Sequence, residues 1–198
     1  MKNIAVFVSG GGTNLQTIIN NAKKSKNYKI ALVISNKEKA YGLIRAKKAY
    51  IPNLYIRSKE TSKILSALSK YKIDYIVLAG YLAIIDSKII KKYQNKILNI
   101  HPSLIPSFCG PGMYGIHVHE AVIKSGVKTS GCTTHFVNEK VDGGAIIMQK
   151  TVPVYYEDTP EILQKRILKY EHQILVESIN LLVKNKLKVI NGRTKILK

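Results

Sequence analysis

The sequence predicts an α/β protein whose Rossmann-like, mostly parallel twisted sheet is continued by a C-terminal antiparallel strand pair and a long helix. Three observations indicate this fold class. Short apolar runs rich in β-branched residues alternate with amphipathic stretches through residues 2–101, a pattern typical of strand–helix–strand units. Two long β-rich runs, 129–137 and 145–154, then follow each other around a glycine-containing turn. A helical pattern finally runs from Thr159 to about Lys184.

The first half of the chain is predicted to alternate strands with helices. The strands cover residues 2–8, 29–34, 53–56, 74–79 and 97–101, and the helices cover 15–22, 40–49 and 58–70. In the second helix, Ala40 and Ile44 are the expected inward-facing residues. Strands that alternate with helices indicate parallel neighbours joined by right-handed crossovers.

The segment that follows the fifth strand has a different amino-acid composition. Residues 107–115 are rich in glycine and proline, which predicts a loop. A helix over 118–125 is expected to end at Gly126, because glycine is the preferred residue just after a helix.

The C-terminal part is predicted to begin its long helix with a favourable cap. Thr159 suits the capping position and Pro160 the first helical position. The tail from Lys186 predicts a short strand or an extended segment. We therefore expect two lobes, 1–101 and 102–198, that share one sheet within a single compact domain.

The chain carries a large excess of positive charge, with 32 Lys and Arg against 12 Asp and Glu and a formal net charge of +20. Only four of the basic residues are arginine, the side chain that reads phosphates and bases most closely. The lysines are spread along the chain, and no known nucleic-acid-binding motif is recognisable. We expect solvated, lysine-rich surfaces that also attract anionic small molecules, and no nucleic-acid partner. A basic nucleic-acid-binding module is the non-enzyme alternative.

Neither a membrane span nor a secretion signal is recognisable. No stretch approaches the roughly 18 consecutive apolar residues of a membrane helix, and Met1 is followed almost directly by the first strand. Cys109 and Cys132 are too few for a disulfide framework or a zinc ribbon. We expect a cytoplasmic protein with reduced thiols and no membrane partner.

A glycine-rich loop, Ser9-Gly10-Gly11-Gly12-Thr13-Asn14, connects the first strand to the first helix. Backbone N–H groups at a helix start, with side-chain donors from Thr13 and Asn14, can hold an anion. The loop lacks the Gly-Lys-Ser/Thr of a P-loop, and Leu15 stands where a dinucleotide fingerprint has its third glycine. A monophosphate is therefore favoured over NAD, the alternative being a tight turn that needs positive φ.

Three polar residues together indicate acid–base chemistry. Asn99 and His101 lie two apart at the end of the fifth strand, so both side chains face the same way. Asp142, in the turn Val141-Asp142-Gly143-Gly144, could reach back to the histidine. An amide donor, an imidazole and a carboxylate can stabilise an oxyanion and move protons. Of the remaining histidines, His117 and His119 are expected at the surface or supporting the loop. His135 is expected to be a packing histidine within a strand, and His172, next to Glu171, could support the site indirectly.

Several stretches of the chain resemble the phosphoribosylglycinamide formyltransferase family. The similar segments are Ala5–Gln16, Leu98–Pro106, Gly131–Val137, Val141–Gly144 and Ile147–Val154. The Asn-Ile-His-Pro-Ser run with the later Asp-Gly-Gly is specific for formyl transfer from folate. It is shared with methionyl-tRNA formyltransferases and formyltetrahydrofolate deformylases, which are the alternative enzyme classes.

The resemblance implies formyl transfer from 10-formyltetrahydrofolate to the amine of glycinamide ribonucleotide in de novo purine biosynthesis, without a metal. It also implies a phosphate-binding lobe over 1–101 and a folate-binding, catalytic lobe over 102–198. Catalysis falls to Asn99, His101 and Asp142. The residues implied in ribonucleotide binding are Gly11, Gly12, Thr13, Asn14 and Glu171, and those implied in folate binding are Leu82, Ala83, Ile84, Ile85, Asn138 and Val141. Ala83 stands where some family members carry arginine.

Two further expectations concern the alternatives and the assembly. The tRNA enzymes normally add a C-terminal RNA-binding domain and the deformylases an N-terminal regulatory domain. Because this chain ends at Lys198 and its loop strand begins near residue 3, the ribonucleotide enzyme is favoured. Its partners are glycinamide ribonucleotide and a reduced folate, and we expect a monomer or weak homodimer.

Overall fold

In residues 1–197, which the computed structural model describes, seven strands form one sheet and two more form a hairpin. The strands are β1 (Lys2–Val8), β2 (Tyr28–Ser35), β3 (Asn53–Tyr55), β4 (Tyr75–Leu78), β5 (Ile97–His101), β6 (Thr129–Phe136), β7 (Ile146–Pro153), β8 (Leu187–Ile190) and β9 (Arg193–Ile196). The helices are α1 (Thr13–Ala22), α2 (Tyr41–Lys48), α3 (Thr61–Lys70), α4 (Ser87–Lys92), α5 (Ile116–Ser125) and α6 (Pro160–Val183).

Both faces of the large sheet are buried. In β1 the side chains of Ile4, Val6 and Val8 pack in one hydrophobic cluster with residues of α1 and α6, and Ala5 and Phe7 pack in a second cluster with residues of α3 and α4. Successive side chains of a strand point to opposite faces, so helices cover the sheet on both sides. This double coverage explains why β1 reads as an unbroken apolar run.

The strand order confirms the predicted fold class. The sheet runs β3-β2-β1-β4-β5-β6-β7, with parallel pairing from β3 to β5 and antiparallel pairing of β5 with β6 and of β6 with β7. The order reverses at β1, which has β2 on one side and β4 on the other. Open α/β sheets bind ligands beyond the carboxyl ends of their strands at such a reversal.

Two elements go beyond the sequence prediction. Helix α4 was not predicted, although Asp86 caps it by accepting a hydrogen bond of 2.8 Å from the Lys88 N–H. The tail forms two antiparallel strands, β8 and β9, instead of one short strand. Both elements are short, with six residues in α4 and four in each strand of the hairpin.

The inward face of α2 was predicted wrongly at one position. Ala40 is buried, but the Ile44 side chain is 45% exposed, and the buried residues within α2 are Gly42 and Ala46. A Cβ on Gly42 would lie 2.8 Å from Cγ2 of Val8. The helix therefore needs a minimal side chain on its inner face, where an isoleucine does not fit.

The predicted helix ends are confirmed. The Thr159 side chain accepts a hydrogen bond from the Ile162 N–H, Pro160 occupies the first position of α6, and Gly126 ends α5 in the left-handed conformation. Across residues 1–197, no helix combines the length and the apolar character that crossing a membrane requires.

Candidate active site

Strand pairing places Asn99 beside a histidine that sequence reasoning assigned to packing. Asn99 of β5 pairs with His135 of β6, and Asn99 Nδ2 lies 3.0 Å from His135 Nε2. The other ring nitrogen, Nδ1, donates a hydrogen bond of 2.8 Å to the Phe136 carbonyl oxygen. His135 is therefore buried with both ring nitrogens bonded, as a packing histidine is, and it also lies beside the predicted oxyanion donor, a contact that the sequence interpretation did not include.

Asp142 reaches both histidines of this ladder. Its Oδ2 lies 3.7 Å from His101 Nδ1, and its Oδ1 lies 3.7 Å from His135 Nε2. Asp142 itself has a left-handed backbone, with φ of 52°. Gly144, later in the same turn, must be glycine because a Cβ there would overlap the Phe136 carbonyl oxygen. The tight turn thus brings the carboxylate over the ends of β5 and β6, as predicted.

His101 is buried, and the ring nitrogen farther from Asp142 is hydrogen-bonded. Its Nε2 donates a hydrogen bond of 3.0 Å to the Phe108 carbonyl oxygen, which also accepts one of 3.1 Å from Ser103 Oγ. Because a carbonyl can only accept, Nε2 carries a hydrogen and Nδ1 faces the carboxylate of Asp142. Both ring nitrogens of His101 therefore face acceptors, the Phe108 carbonyl oxygen and the Asp142 carboxylate.

The glycine loop enters α1 through a residue with a left-handed backbone, which glycine adopts without strain. Gly12 occupies the capping position of α1 with φ of 71°, and a Cβ there would lie 2.9 Å from the Cα of Gly42. Arg45 fixes the loop by donating from Nε to the Gly11 carbonyl oxygen at 2.8 Å. The free N–H groups of the first turn of α1 are thereby presented beyond the end of β1.

A buried polar pair joins α1 to α6. Asn14 Nδ2 donates a hydrogen bond of 2.8 Å to Glu171 Oε2, and both side chains are buried. Burial raises the pKa of Glu171, and the hydrogen bond from Asn14 opposes that rise. Within residues 1–197, Asn14 Oδ1 is buried without a hydrogen-bond partner, so it can receive a donor from a ligand.

One cavity of about 590 Å³ connects these groups. Twelve of the fourteen predicted site residues line it: Thr13, Asn14, Leu82, Ala83, Ile84, Ile85, Asn99, His101, Asn138, Val141, Asp142 and Glu171. Gly11 and Gly12 do not line it but lie directly before Thr13. The wall formed by Leu82, Ile84 and Val141 leaves apolar surface exposed, with Ile84 76% exposed.

Sequence reasoning missed His119 as well as His135. His119 of α5 lines the same cavity and is only 1% exposed, and its Nδ1 has no hydrogen-bond partner within residues 1–197. Burial, followed by the charge of His101, lowers the pKa of His119 to about 4. His135 meets Asn99 through the register of β5 with β6, which the sequence pattern does not specify. No signal in the sequence marks His119 either.

The comparisons with known proteins agree on one family. A model of the formyl transferase family matches residues 2–179. A phosphoribosylglycinamide formyltransferase of Haemophilus influenzae is 45% identical over 182 residues, which are 88% of this chain and 84% of that protein. A chloroplastic phosphoribosylglycinamide formyltransferase of Arabidopsis thaliana is 41% identical over 94% of this chain and 67% of its own length. The crystal structure of glycinamide ribonucleotide transformylase 1 from Symbiobacterium toebii has a TM-score of 0.93 at 37% identity and covers all of this chain and 95% of that one.

Proposed function

The chain belongs to the formyl transferase family, and we propose that it transfers a formyl group from 10-formyltetrahydrofolate to the amine of glycinamide ribonucleotide in de novo purine biosynthesis. One observation carries the proposal: a single cavity is lined both by a helix start with a buried carboxylate and by the Asn99, His101 and Asp142 cluster. The two kinds of group suit an anionic amine acceptor and an acyl transfer, respectively.

The acceptor end offers complementary groups for a phosphate and an amine. The first turn of α1 presents backbone N–H groups and the Thr13 hydroxyl, which suit a phosphate. Glu171 supplies a carboxylate, and Asn14 Oδ1 supplies an acceptor without a protein partner in the described chain. A ribonucleotide with its phosphate at α1 and its amine toward Glu171 fits this arrangement.

The part of the cavity proposed for the folate, which donates the formyl group, has an apolar wall and a polar floor. Leu82, Ile84 and Val141 expose hydrocarbon surface that suits the flat ring system of a folate. Asn138 supports the floor by donating a hydrogen bond of 3.1 Å from Nδ2 to the Gly143 carbonyl oxygen. Ala83 leaves the rim without the arginine that some family members carry.

The chemistry follows from the groups between the two ends. The uncharged amine attacks the formyl carbon, a C–N bond forms, and negative charge develops on the formyl oxygen. Asn99 donates a hydrogen bond to that oxygen, a type of contact worth about 10²–10³ in rate. His101 contributes a second donor from Nε2, which must turn from the Phe108 carbonyl oxygen to the formyl oxygen. Asp142 takes part in moving the proton of the amine to the folate nitrogen that leaves as its bond to the formyl carbon breaks.

A folate-release assay with three acceptors tests the proposal. We expect rapid, spectroscopically detected release of tetrahydrofolate with glycinamide ribonucleotide, and only background release with initiator methionyl-tRNA or with water. Faster release with methionyl-tRNA supports a tRNA formyltransferase, and acceptor-independent release supports a deformylase. Salt-sensitive polyanion binding without folate turnover supports the nucleic-acid-binding alternative. A cytoplasmic location and a monomer or weak homodimer complete the proposal.

A further inference from the structure

We propose that His135 is a positioning residue that locks the side-chain amide of Asn99 with its Nδ2 group toward the ring, so that Asn99 presents a donor to the formyl oxygen. The inference rests on the proposed formyl transfer. It assigns a role in the reaction to a side chain that the three-residue cluster of Asn99, His101 and Asp142 does not include.

The argument begins with the tautomer of His135. Its Nδ1 lies 2.8 Å from the Phe136 carbonyl oxygen, and a carbonyl can only accept, so Nδ1 carries the hydrogen. In a neutral imidazole the other nitrogen, Nε2, is then an acceptor. Only the NH₂ group of Asn99 can face that lone pair at 3.0 Å, because the amide oxygen would oppose it.

The surroundings of His135 keep its ring neutral. The side chain is 1% exposed, and burial lowers the pKa of His135 while the hydrogen bond to Phe136 and the charge of Asp142 act against that change. The charge of His101 acts with burial. A protonated ring would point an N–H at the NH₂ group of Asn99, so the lock exists only in the neutral form.

The orientation of the Asn99 side chain matters because its amide has an NH₂ donor on one side and an acceptor oxygen on the other. Asn99 makes no other side-chain hydrogen bond within residues 1–197, and it lines the cavity. With one Nδ2 hydrogen on His135, the second is available to the ligand. A rotated amide would aim its oxygen at the developing oxyanion and would repel it.

A double-mutant cycle tests this role. We expect His135→Leu, which removes the acceptor, to lower kcat about 10-fold or more while KM for each substrate changes less than about threefold. In Asn99→Ala we expect the loss of about 10²–10³ typical of an oxyanion donor. If His135 acts through Asn99, the double variant loses no more than Asn99→Ala alone; two losses that simply multiply would overturn the inference.

Rescue and a direct spectroscopic reading complete the test. His135→Gln returns an acceptor oxygen near the Nε2 position and should recover most of kcat, whereas His117→Gln at an exposed site is the matched control. ¹⁵N spectra of the wild-type protein at neutral pH should show His135 neutral with its hydrogen on Nδ1. The opposite tautomer or an imidazolium would overturn the inference even if His135→Leu fails to fold. Wild-type protein that transfers no formyl group would instead contradict the proposed function.

Discussion

The backbone N–H of Gly110 donates a hydrogen bond of 2.8 Å to Oδ2 of Asp142, the same oxygen that lies 3.7 Å from His101 Nδ1. One carboxylate oxygen therefore joins the loop after β5 to the turn between β6 and β7, 32 residues apart in the chain. The same oxygen therefore contacts the loop and faces the imidazole, and we expect a substitution of Asp142 to lower the reaction rate.

Asp142→Asn should lower kcat about 10²–10⁴-fold, the usual contribution of a positioned acid or base. The amide is nearly isosteric and can still accept from Gly110, so the melting temperature should change little. Steady-state kinetics with glycinamide ribonucleotide and a thermal melt check both parts. Glu157→Gln, at an exposed carboxylate, is the control, and turnover of Asp142→Asn within a few-fold of wild type contradicts the assignment.

Glu171→Gln should raise KM for glycinamide ribonucleotide at least 10-fold and leave folate binding nearly unchanged. A carboxylate that pairs with the substrate amine contributes a charge-assisted hydrogen bond, which an amide weakens. Glu171 is not a solvated residue on the outer face of α6, because its side chain is buried against Asn14.

Glu177→Gln on the exposed side of the same helix provides the matched comparison. Calorimetry with each substrate separates the two ends of the cavity. Normal ribonucleotide affinity in Glu171→Gln, accompanied only by a lower melting temperature, would assign the residue to stability alone.

Gly12→Ala should weaken ribonucleotide binding and lower the free energy of unfolding by about 1–2 kcal/mol, because alanine is strained at φ of 71°. The new Cβ would also press on Gly42 of α2 and displace the loop. Gly10→Ala is the control, since a Cβ at Gly10 meets nothing within 4 Å. Equal ribonucleotide affinities of the two variants in calorimetry would argue against a phosphate site on this loop.

Acid should destabilise the fold partly through His119. In the unfolded chain a histidine has a pKa of about 6.5, whereas burial and the charge of His101 lower the pKa of folded His119 to about 4. Between these values the unfolded chain binds more protons, so stability falls as the pH falls. Going from pH 7.5 to pH 5 should cost about 2 kcal/mol through this residue.

Urea unfolding at pH 7.5 and pH 5 measures the loss of folding stability that is due to His119. His119→Gln should reduce the pH-dependent loss by about 2 kcal/mol, and His117→Gln at an exposed site should leave it unchanged. Burial also lowers the pKa values of His135 and His172. Every variant should therefore still lose some stability between pH 7.5 and pH 5. An identical pH dependence in wild type and His119→Gln would show that His119 is not held neutral.

The sequence predicted what depends on neighbours along the chain. β1 and β5 were predicted with their observed bounds, because short apolar runs followed by polar or turn residues favour buried strands. Asn99 and His101 were placed on one side of β5 by the two-residue repeat of a strand. Asp142 was placed by its glycine-rich turn, which only a sharp reversal of the chain explains.

What was missed depends on contacts between distant segments. His135 becomes a partner of Asn99 only through the register of β5 with β6, and a shift by one residue would put Thr134 or Phe136 there. Ile44 was assigned to the core on its hydrophobicity, but the close packing of Gly42 on Val8 excludes a large side chain. Neither fact is contained in the local periodicity.

The Asn14–Glu171 hydrogen bond has a consequence for how the protein is made. Its two residues are 157 positions apart, so at about 5–20 residues per second a ribosome adds Glu171 roughly 8–30 s after Asn14. The strands from β1 to β5 have all left the polymerising centre by then. A nascent chain can thus begin to build its sheet before Glu171, the proposed contact of the acceptor amine, has been added.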